Sequence, residues 1–207
     1  MTALPRLSAA MSPNVKLRQL QDYIESFEYN HTSFNFFKID KMAPFSELLR
    51  SADLIVSEAL PIKCLEACAL AIRLTMSERE WTRFPLRFGS RIGGKRFWHI
   101  VCVVEIGGGR YGVLGLSRCA TLSYRPAQFV SLHDLISSFI SAYAACGHDV
   151  DRIMIGEPFP HQGDMRETLT WAKLSLSISK LAPADLEKVL SSFSRRQLKL
   201  KKHWSRN

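Results

Sequence analysis

Apolar side chains in the first part of the chain recur about every three or four residues, at Leu17, Leu20, Tyr23, Ile24 and Phe27. This spacing predicts a helix over 13–29, with Ser12 as its N-cap. The same reasoning predicts four further helices, over 45–54, 61–76, 132–143 and 183–200. Residues 165–176 fit neither pattern and stay ambiguous.

The middle of the chain is rich in alternating and β-branched residues, which predict strands over 83–88, 96–106 and 110–118. Three glycines, 107–109, separate the last two strands and predict a hairpin. If the turn is symmetric about Gly108, His99 faces Ser117 on the same side of the sheet. A bulge in the turn would instead shift the register by one residue and turn Ser117 away. Helices first, then strands, then helices indicate an α+β fold.

The chain has 207 residues, enough to bury a sizeable core as one domain or as one domain with two lobes. It carries 28 Lys and Arg against 19 Asp and Glu, a net charge of +9, which attracts nucleic acid, anionic membranes or acidic peptides. The basic stretch 195–207 is equally typical of a solvated helix end. No run of about 18 apolar residues predicts a membrane span. Five cysteines without a secretory signal favour reduced thiols in the cytoplasm.

Cys64 is the first candidate for chemistry, because it follows Pro61 at the start of a predicted helix. Unpaired N–H groups, the helix dipole and the neighbouring Lys63 all favour a nucleophilic thiolate there. The alternative is a buried structural thiol. Cys64 and Cys68 are one helical turn apart, but no second ligand pair has metal-site spacing, so no metal is expected.

His99 is a polar residue inside an apolar strand and needs a partner or a catalytic task. Ser117 on the facing strand could orient its ring as the third member of a triad does. Arg118 and Lys63 add basic groups suited to a free carboxylate, which an exopeptidase must hold. The GxxxxGK pattern at 89–95 lacks the Ser or Thr and the helix of a phosphate loop, and indicates no nucleotide site.

Four stretches, YNHTSFNFF, EALPIKCLEA, RFWHIV and GRYGVLGLSR, together closely resemble the vasohibin family. The similarity runs from about residue 14 to about residue 200 and is densest over 58–126. Vasohibins are transglutaminase-like cysteine proteases that remove the C-terminal tyrosine of α-tubulin. The resemblance implies a transglutaminase-like or papain-like fold, with a helical N-terminal part packed on an antiparallel sheet with flanking helices.

The resemblance also implies the site residues. The catalytic triad falls on Cys64, His99 and Ser117. Substrate binding falls on Tyr29, Lys41, Lys63 and Arg118, where the Tyr29 hydroxyl can aid the oxyanion and the basic residues hold the terminal carboxylate and the acidic tail. No cofactor is implied.

The family pattern divides the chain into a flexible leader over 1–12, a helical partner-binding region over 13–58 and a catalytic region over 59–207 that ends in a basic helix. The implied partners are the α-tubulin tail on microtubules and a small helical vasohibin-binding protein, with no nucleic acid. The implied location is the cytoplasm and cytoskeleton, although secretion by an unconventional route stays open. One extra glycine in the hairpin and a much shorter C-terminal extension depart from the animal pattern.

Two other functions are compatible with the residues. A basic module that coats microtubules or nucleic acid without catalysis explains the charge but not the Cys, His and Ser residues. Another acyl-transfer enzyme of the same fold, such as a transglutaminase, explains those residues but needs an amine acceptor and no free carboxylate.

Overall fold

The computed structural model describes residues 4–204, with side chains through residue 197. The first three residues of the expected leader and the last three of the basic tail lie outside this range. Within it, the helices are α1 (Pro13–Glu25), α2 (Phe45–Glu58), α3 (Cys64–Leu74), α4 (Leu132–Ala145) and α5 (Pro183–Trp204). The strands are β1 (Thr82–Ile92), β2 (Lys95–Ile106), β3 (Arg110–Leu114), β4 (Arg125–Phe129), β5 (Asp149–Ile155) and β6 (Leu174–Ser177).

The six strands form one antiparallel sheet in the order β4-β3-β2-β1-β5-β6, with helices on both faces. Side chains alternate along β2, because successive residues of a strand point to opposite faces. Ile100 and Cys102 join the core under α1, α2 and α3. Val101 and Val103 join the core under α4 and α5. The expected α+β class is confirmed.

The β2–β3 hairpin has the predicted symmetric register, with pairs from Ile106–Arg110 to Cys102–Leu114. Its turn needs glycine, since Gly108 has a φ of 93°. The predicted strand over 110–118 is too long, because β3 ends at Leu114. The paired ladder therefore stops short of His99 and of the segment that carries Ser117.

The helix predicted over 61–76 begins later, at Cys64. Ile62 instead pairs in parallel with Tyr29, through hydrogen bonds from Asn30 N–H to Ile62 O at 2.8 Å and from Ile62 N–H to Glu28 O at 3.1 Å. This tertiary pairing holds the residues after Pro61 extended and overrides the preference of proline for the first turn. As a result Cys64 becomes the first helical residue, with Tyr29 held in the adjacent segment.

Other predictions differ in their limits. Ser12 caps α1 as predicted, by accepting from Val15 N–H at 3.4 Å. The predicted helices over 45–54, 132–143 and 183–200 are all present and extend further at their C-terminal ends. None of the helices in the described range is long and apolar enough to cross a membrane.

The expectation that all five cysteines are reduced is wrong for one pair. Cys119 and Cys146 form a disulfide, while Cys64, Cys68 and Cys102 are free. The two partners lie on the turn after β3 and at the C-terminal end of α4. Their spacing in the sequence gives no sign that the fold brings them together.

Candidate active site

Cys64 occupies the first position of α3, directly after the N-cap Lys63. The Lys63 backbone is extended there, and its carbonyl accepts the first helical hydrogen bond from Ala67 N–H at 2.9 Å. Residues 66–72 of the helix are all buried, so α3 is fixed in the core. The half-buried thiol is thus presented by a rigid element, where the helix dipole favours negative charge.

The thiol lies in a dry setting with two stabilising neighbours. Burial raises the pKa of the Cys64 thiol, and the negative charge of the buried Glu66 raises it further. A hydrogen bond with the Ile100 backbone and the positive charge of Lys41 act in the opposite direction. Ile100 lies beyond the last β2–β3 pair, Cys102–Leu114, so no β3 residue pairs with it. The end of β3 therefore leaves room for the thiol at the edge of β2.

His99 directly precedes Ile100 on β2. Its Nε2 lies 2.9 Å from the backbone oxygen of Leu122. A carbonyl oxygen can only accept, so the neutral ring carries its proton on Nε2 and leaves Nδ1 as the basic nitrogen. Burial lowers the pKa of His99 to about 4, with the Leu122 bond opposing the shift. His99 is therefore neutral at physiological pH and able to accept a proton.

Leu122 makes the contact with the histidine ring that the hairpin geometry assigned to Ser117. The Ser117 hydroxyl instead accepts from Cys119 N–H at 3.3 Å, and Ser117 N–H donates to Ser123 Oγ at 3.0 Å. Ser117 is close to this chemistry in sequence, but its catalytic role stays a prediction. Every residue has a carbonyl, so sequence carries no signal for an orienting group of the Leu122 type.

Tyr29 and Arg118 meet beside the thiol. The Arg118 guanidinium carbon lies 5.5 Å from the centroid of the Tyr29 ring. Burial and the nearby Cys64 charge raise the pKa of Tyr29, while the charge of Arg118 and a hydrogen bond with it act in the opposite direction. The structure thus groups three predicted site residues from three separate parts of the sequence.

Lys63 reaches over the loop that follows Tyr29. Its ammonium donates to the Phe34 carbonyl at 3.0 Å, and the buried Asn30 amide donates to the same carbonyl, also at 3.0 Å. Asn30 also accepts from Thr32 N–H at 2.9 Å. The Asn-His-Thr stretch is therefore a compact turn that holds the loop against Lys63.

Lys41 and Arg87 add two half-buried cations to the surroundings of Cys64. The Lys41 ammonium lies 5.3 Å from the Trp171 ring centroid, and the Arg87 guanidinium carbon lies 4.0 Å from that of Trp98. Burial lowers the pKa of both, the Arg87 charge lowers that of Lys41 further, and both interact electrostatically with Cys64. Sequence reasoning missed Arg87, although a charged residue inside a predicted strand was a usable signal.

These cations share a property that bears on ligand binding. Among the described residues, no carboxylate lies within salt-bridge distance of Lys41, Lys63, Arg87 or Arg118. Lys41, Lys63 and Arg87 are half-buried, while Arg118 is exposed. The buried Glu66 interacts electrostatically with Lys63, so the other cations keep a positive charge that an anionic ligand can balance. The surroundings of Cys64 therefore form a positive field suited to an anionic substrate, and the pairing of Cys64 with the neutral His99 as its base stays a prediction.

Comparison with known proteins agrees with this chemistry. The family model described as vasohibin matches residues 1–199. Over 180 residues the chain is 38% identical to a mouse protein named tubulinyl-Tyr carboxypeptidase 1. The matched region covers 87% of this chain and 48% of the mouse protein. The chain thus spans about half the length of the curated relative that it matches. With nearly its whole length matched by the family model, the chain belongs to the vasohibin family.

Proposed function

We propose that this chain is a cysteine-type carboxypeptidase that removes the C-terminal tyrosine from the acidic tail of α-tubulin. The name of the mouse relative supports both the reaction and the substrate. The net charge of +9 supports attraction of an acidic tail over a long range.

The grouping of Cys64, Tyr29 and Arg118 is the observation that carries the proposal. The Arg118 guanidinium lies against Tyr29, which itself neighbours Cys64, and this arrangement suits a substrate whose free carboxylate lies one residue from the bond to be cut. An endoprotease has no use for such a group, since its substrate continues past the cleaved bond. The site therefore favours removal of a single terminal residue.

The first half of the reaction is acylation. Arg118 and Lys63 hold the terminal carboxylate, and the Cys64 sulfur attacks the last peptide carbonyl as its proton passes to His99 Nδ1. The Cys64 backbone N–H and the Tyr29 hydroxyl stabilise the oxyanion. His99 then gives its proton to the amine nitrogen, the C–N bond breaks, and free tyrosine leaves a thioester on Cys64.

The second half is hydrolysis. His99 takes a proton from water, the resulting hydroxide attacks the thioester carbonyl, and the C–S bond breaks as the thiol is reprotonated. The Leu122 carbonyl supports both halves, because it keeps the Nε2 proton in place and stabilises the transient imidazolium. We assign Ser117 to the catalytic triad together with Cys64 and His99, as the resemblance to the family implies. Its side chain lies in the turn that also carries Arg118.

The direct test is release of free tyrosine from a peptide ending in Glu-Glu-Tyr. The full chain should release tyrosine, and Cys64→Ala should not. The same peptide with an amidated C-terminus should be a poor substrate for the wild type. Equal cleavage of the acid and the amide, or incorporation of an added amine, would instead favour another acyl-transfer enzyme of this fold.

We further propose that the catalytic work belongs to region 59–207 and that region 13–58 receives a small helical partner. Exposed apolar side chains on α1 and α2 support a docking role, with Val15 48% and Leu54 50% exposed. Tyrosine release measured with and without the small vasohibin-binding protein, for wild type and Leu54→Asp, tests this assignment. A partner effect that is unchanged by Leu54→Asp would place the contact elsewhere.

The cellular setting follows from the substrate. We propose a cytoplasmic, cytoskeleton-associated protein that meets the tubulin tail on microtubules. Co-sedimentation of Cys64→Ala with intact microtubules, compared with microtubules whose acidic tails have been removed, tests this. Equal binding to both would favour a basic binding module that does not depend on the tail.

A further inference from the structure

A side chain, and not a strand, bonds the first residue after β3. The Gln21 Nε2 donates to the Gly115 carbonyl at 2.7 Å, and Gly115 N–H donates to Gln21 Oε1 at 3.1 Å. A primary amide offers one donor and one acceptor side by side, as the backbone of a neighbouring strand does. Gln21 thus replaces a strand partner at the point where β3 ends.

The Gln21 amide is itself held firmly. Its side chain is fully buried, and its Nε2 also donates to Glu25 Oε1 at 2.9 Å. α1 packs closely on the sheet, since a Cβ on Gly112 would lie 2.7 Å from Leu17 Cδ2. Rotation of the Gln21 amide would leave a buried polar group without a hydrogen bond, which is energetically costly. The amide is therefore fixed in this orientation.

The backbone from Gly115 to Arg118 is also held in one conformation. A Cβ on Gly115 would lie 2.9 Å from Val101 Cγ1 and 3.2 Å from the Ser123 carbonyl, so the backbone there has no free space. Two residues on, Ser117 N–H donates to the buried Ser123 hydroxyl at 3.0 Å. The segment then turns so that Arg118 reaches the Tyr29 ring.

A longer β3 would disturb the site in two ways. Continuing the observed register would place Leu116 opposite Ile100, whose backbone holds the Cys64 thiol. It would also put Ser117 and Arg118 on opposite faces of the sheet, because side chains alternate along a strand. The end of β3 at Leu114 is therefore a condition for the geometry of the site.

We propose that Gln21 is a positioning residue that places Arg118 by ending β3 at Leu114. This role rests on the proposed recognition of a C-terminal carboxylate by Arg118. Gln21 touches neither the substrate nor the reacting atoms, and it acts through the backbone of Gly115. Its loss should weaken the selection of a free carboxylate more than it weakens the fold.

The test measures binding, so that catalysis does not enter. Full-length Cys64→Ala is titrated with a fluorescent peptide ending in Glu-Glu-Tyr and with the same peptide amidated at its C-terminus. The background variant should bind the acid about tenfold more tightly than the amide, the scale expected for a lost charge-assisted bond. Adding Gln21→Met should reduce this preference to less than about threefold.

Asn14→Ala is the matched control. Asn14 lies on the same helix, and its side chain accepts from Ala127 N–H at 2.7 Å, so the variant also removes an amide-to-backbone bond between α1 and the sheet. It should keep the full acid preference. Equal loss in both variants would show that α1 acts only as general support, and would overturn the proposal.

The remaining outcomes separate the two proposals. If the Cys64→Ala background itself binds acid and amide equally, carboxylate recognition fails as the basis of the proposed function. If the background prefers the acid and a folded Gln21→Met does so equally, the positioning role is wrong. If Gln21→Met does not fold, Gln21→Glu decides, because an ionised carboxylate can accept from Gly115 N–H but cannot donate to the Gly115 carbonyl. A preference below that of Asn14→Ala then supports the proposal, and an equal one overturns it.

Discussion

The helix that carries Cys64 and the segment from Gly115 to Leu122 hold their functional groups by different means. α3 is a continuous helix whose residues 66–72 are buried, so many apolar contacts share its support. In the described range no strand pairs with the segment, which depends on bonds to Gln21, Ser123 and Cys146. The two regions should therefore respond differently to single substitutions. The helix that carries the nucleophile has many supporting contacts, whereas the recognition segment has only a few polar bonds.

The largest expected effect lies on the helix side. Cys64→Ala removes the nucleophile and should lower tyrosine release by more than about a thousandfold. The free energy of unfolding should change little, because the side chain is only half-buried and α3 keeps its apolar contacts. Matched measurements of tyrosine release and chemical denaturation check both parts.

The control is Cys68→Ala, one turn along the same helix and fully buried. It should reduce stability while leaving most of the activity of the folded fraction. The comparison fails if Cys64→Ala unfolds the chain, or if Cys68→Ala alone abolishes release from folded protein.

The next effect concerns the covalent anchor of the segment. The Cys119–Cys146 disulfide spans 27 residues, and closing a loop of that size stabilises a fold by about 3 kcal/mol. Cys119→Ser, Cys146→Ser and the double variant should lose similar amounts of the free energy of unfolding, as measured by urea denaturation without a reductant.

Reductant supplies the control for this prediction. It should destabilise the wild type to the level of the variants and leave the variants unchanged. A wild type that is equally stable with and without reductant would show that the disulfide does not form in solution, and would leave the segment dependent on its hydrogen bonds alone.

Arg118→Lys tests the recognition group that the segment carries. Lysine keeps the charge but cannot form the two parallel hydrogen bonds of a guanidinium with a carboxylate. The KM for a tyrosine-terminated peptide should rise about tenfold, with a smaller change in kcat. Arg110→Lys at the exposed start of β3 is the matched control and should change neither. A fall in kcat with constant KM would assign Arg118 to the chemical step.

The same contrast explains what the sequence revealed. Apolar periodicity predicted the helices and placed Cys64 near a helix start, because burial of one helix face repeats regularly along the chain. The hairpin register followed from its glycines and was confirmed. The true first residue of α3 was missed, since the pairing of Ile62 with Tyr29 joins residues far apart in sequence.

The recognition segment was harder to predict. Its path depends on side chain–backbone bonds, such as that of Gln21 with Gly115, which leave no periodic pattern. The role of the Leu122 carbonyl has no residue-type signal at all. β4 and β5 were also missed, because β4 is short and contains Pro126, and β5 carries charged residues where alternation would show.

The smallest expected effect concerns the link between the two regions, the bond from His99 to Leu122. Burial holds the pKa of His99 at about 4, below the value of about 6.5 for an exposed histidine. The base therefore stays neutral as the pH falls from about 7.5 to about 6, and kcat/KM should fall less than about twofold over that interval. NMR titration of the His99 ring should show the same low midpoint.

The stability of the chain supplies an independent check with a defined sign. Because the unfolded chain protonates His99 first, its contribution to the free energy of unfolding is complete above about pH 6.5 and is lost between about 6.5 and 4. His99→Gln should remove that part of the acid dependence, while Cys64→Ala should retain it. The contradicting result would be a fall in kcat/KM and a titration of the His99 ring that both have midpoints near about pH 6.5. That result would mean that the ring is hydrated in solution. The Leu122 carbonyl would then not hold the ring in the buried position on which the contrast between helix and segment depends.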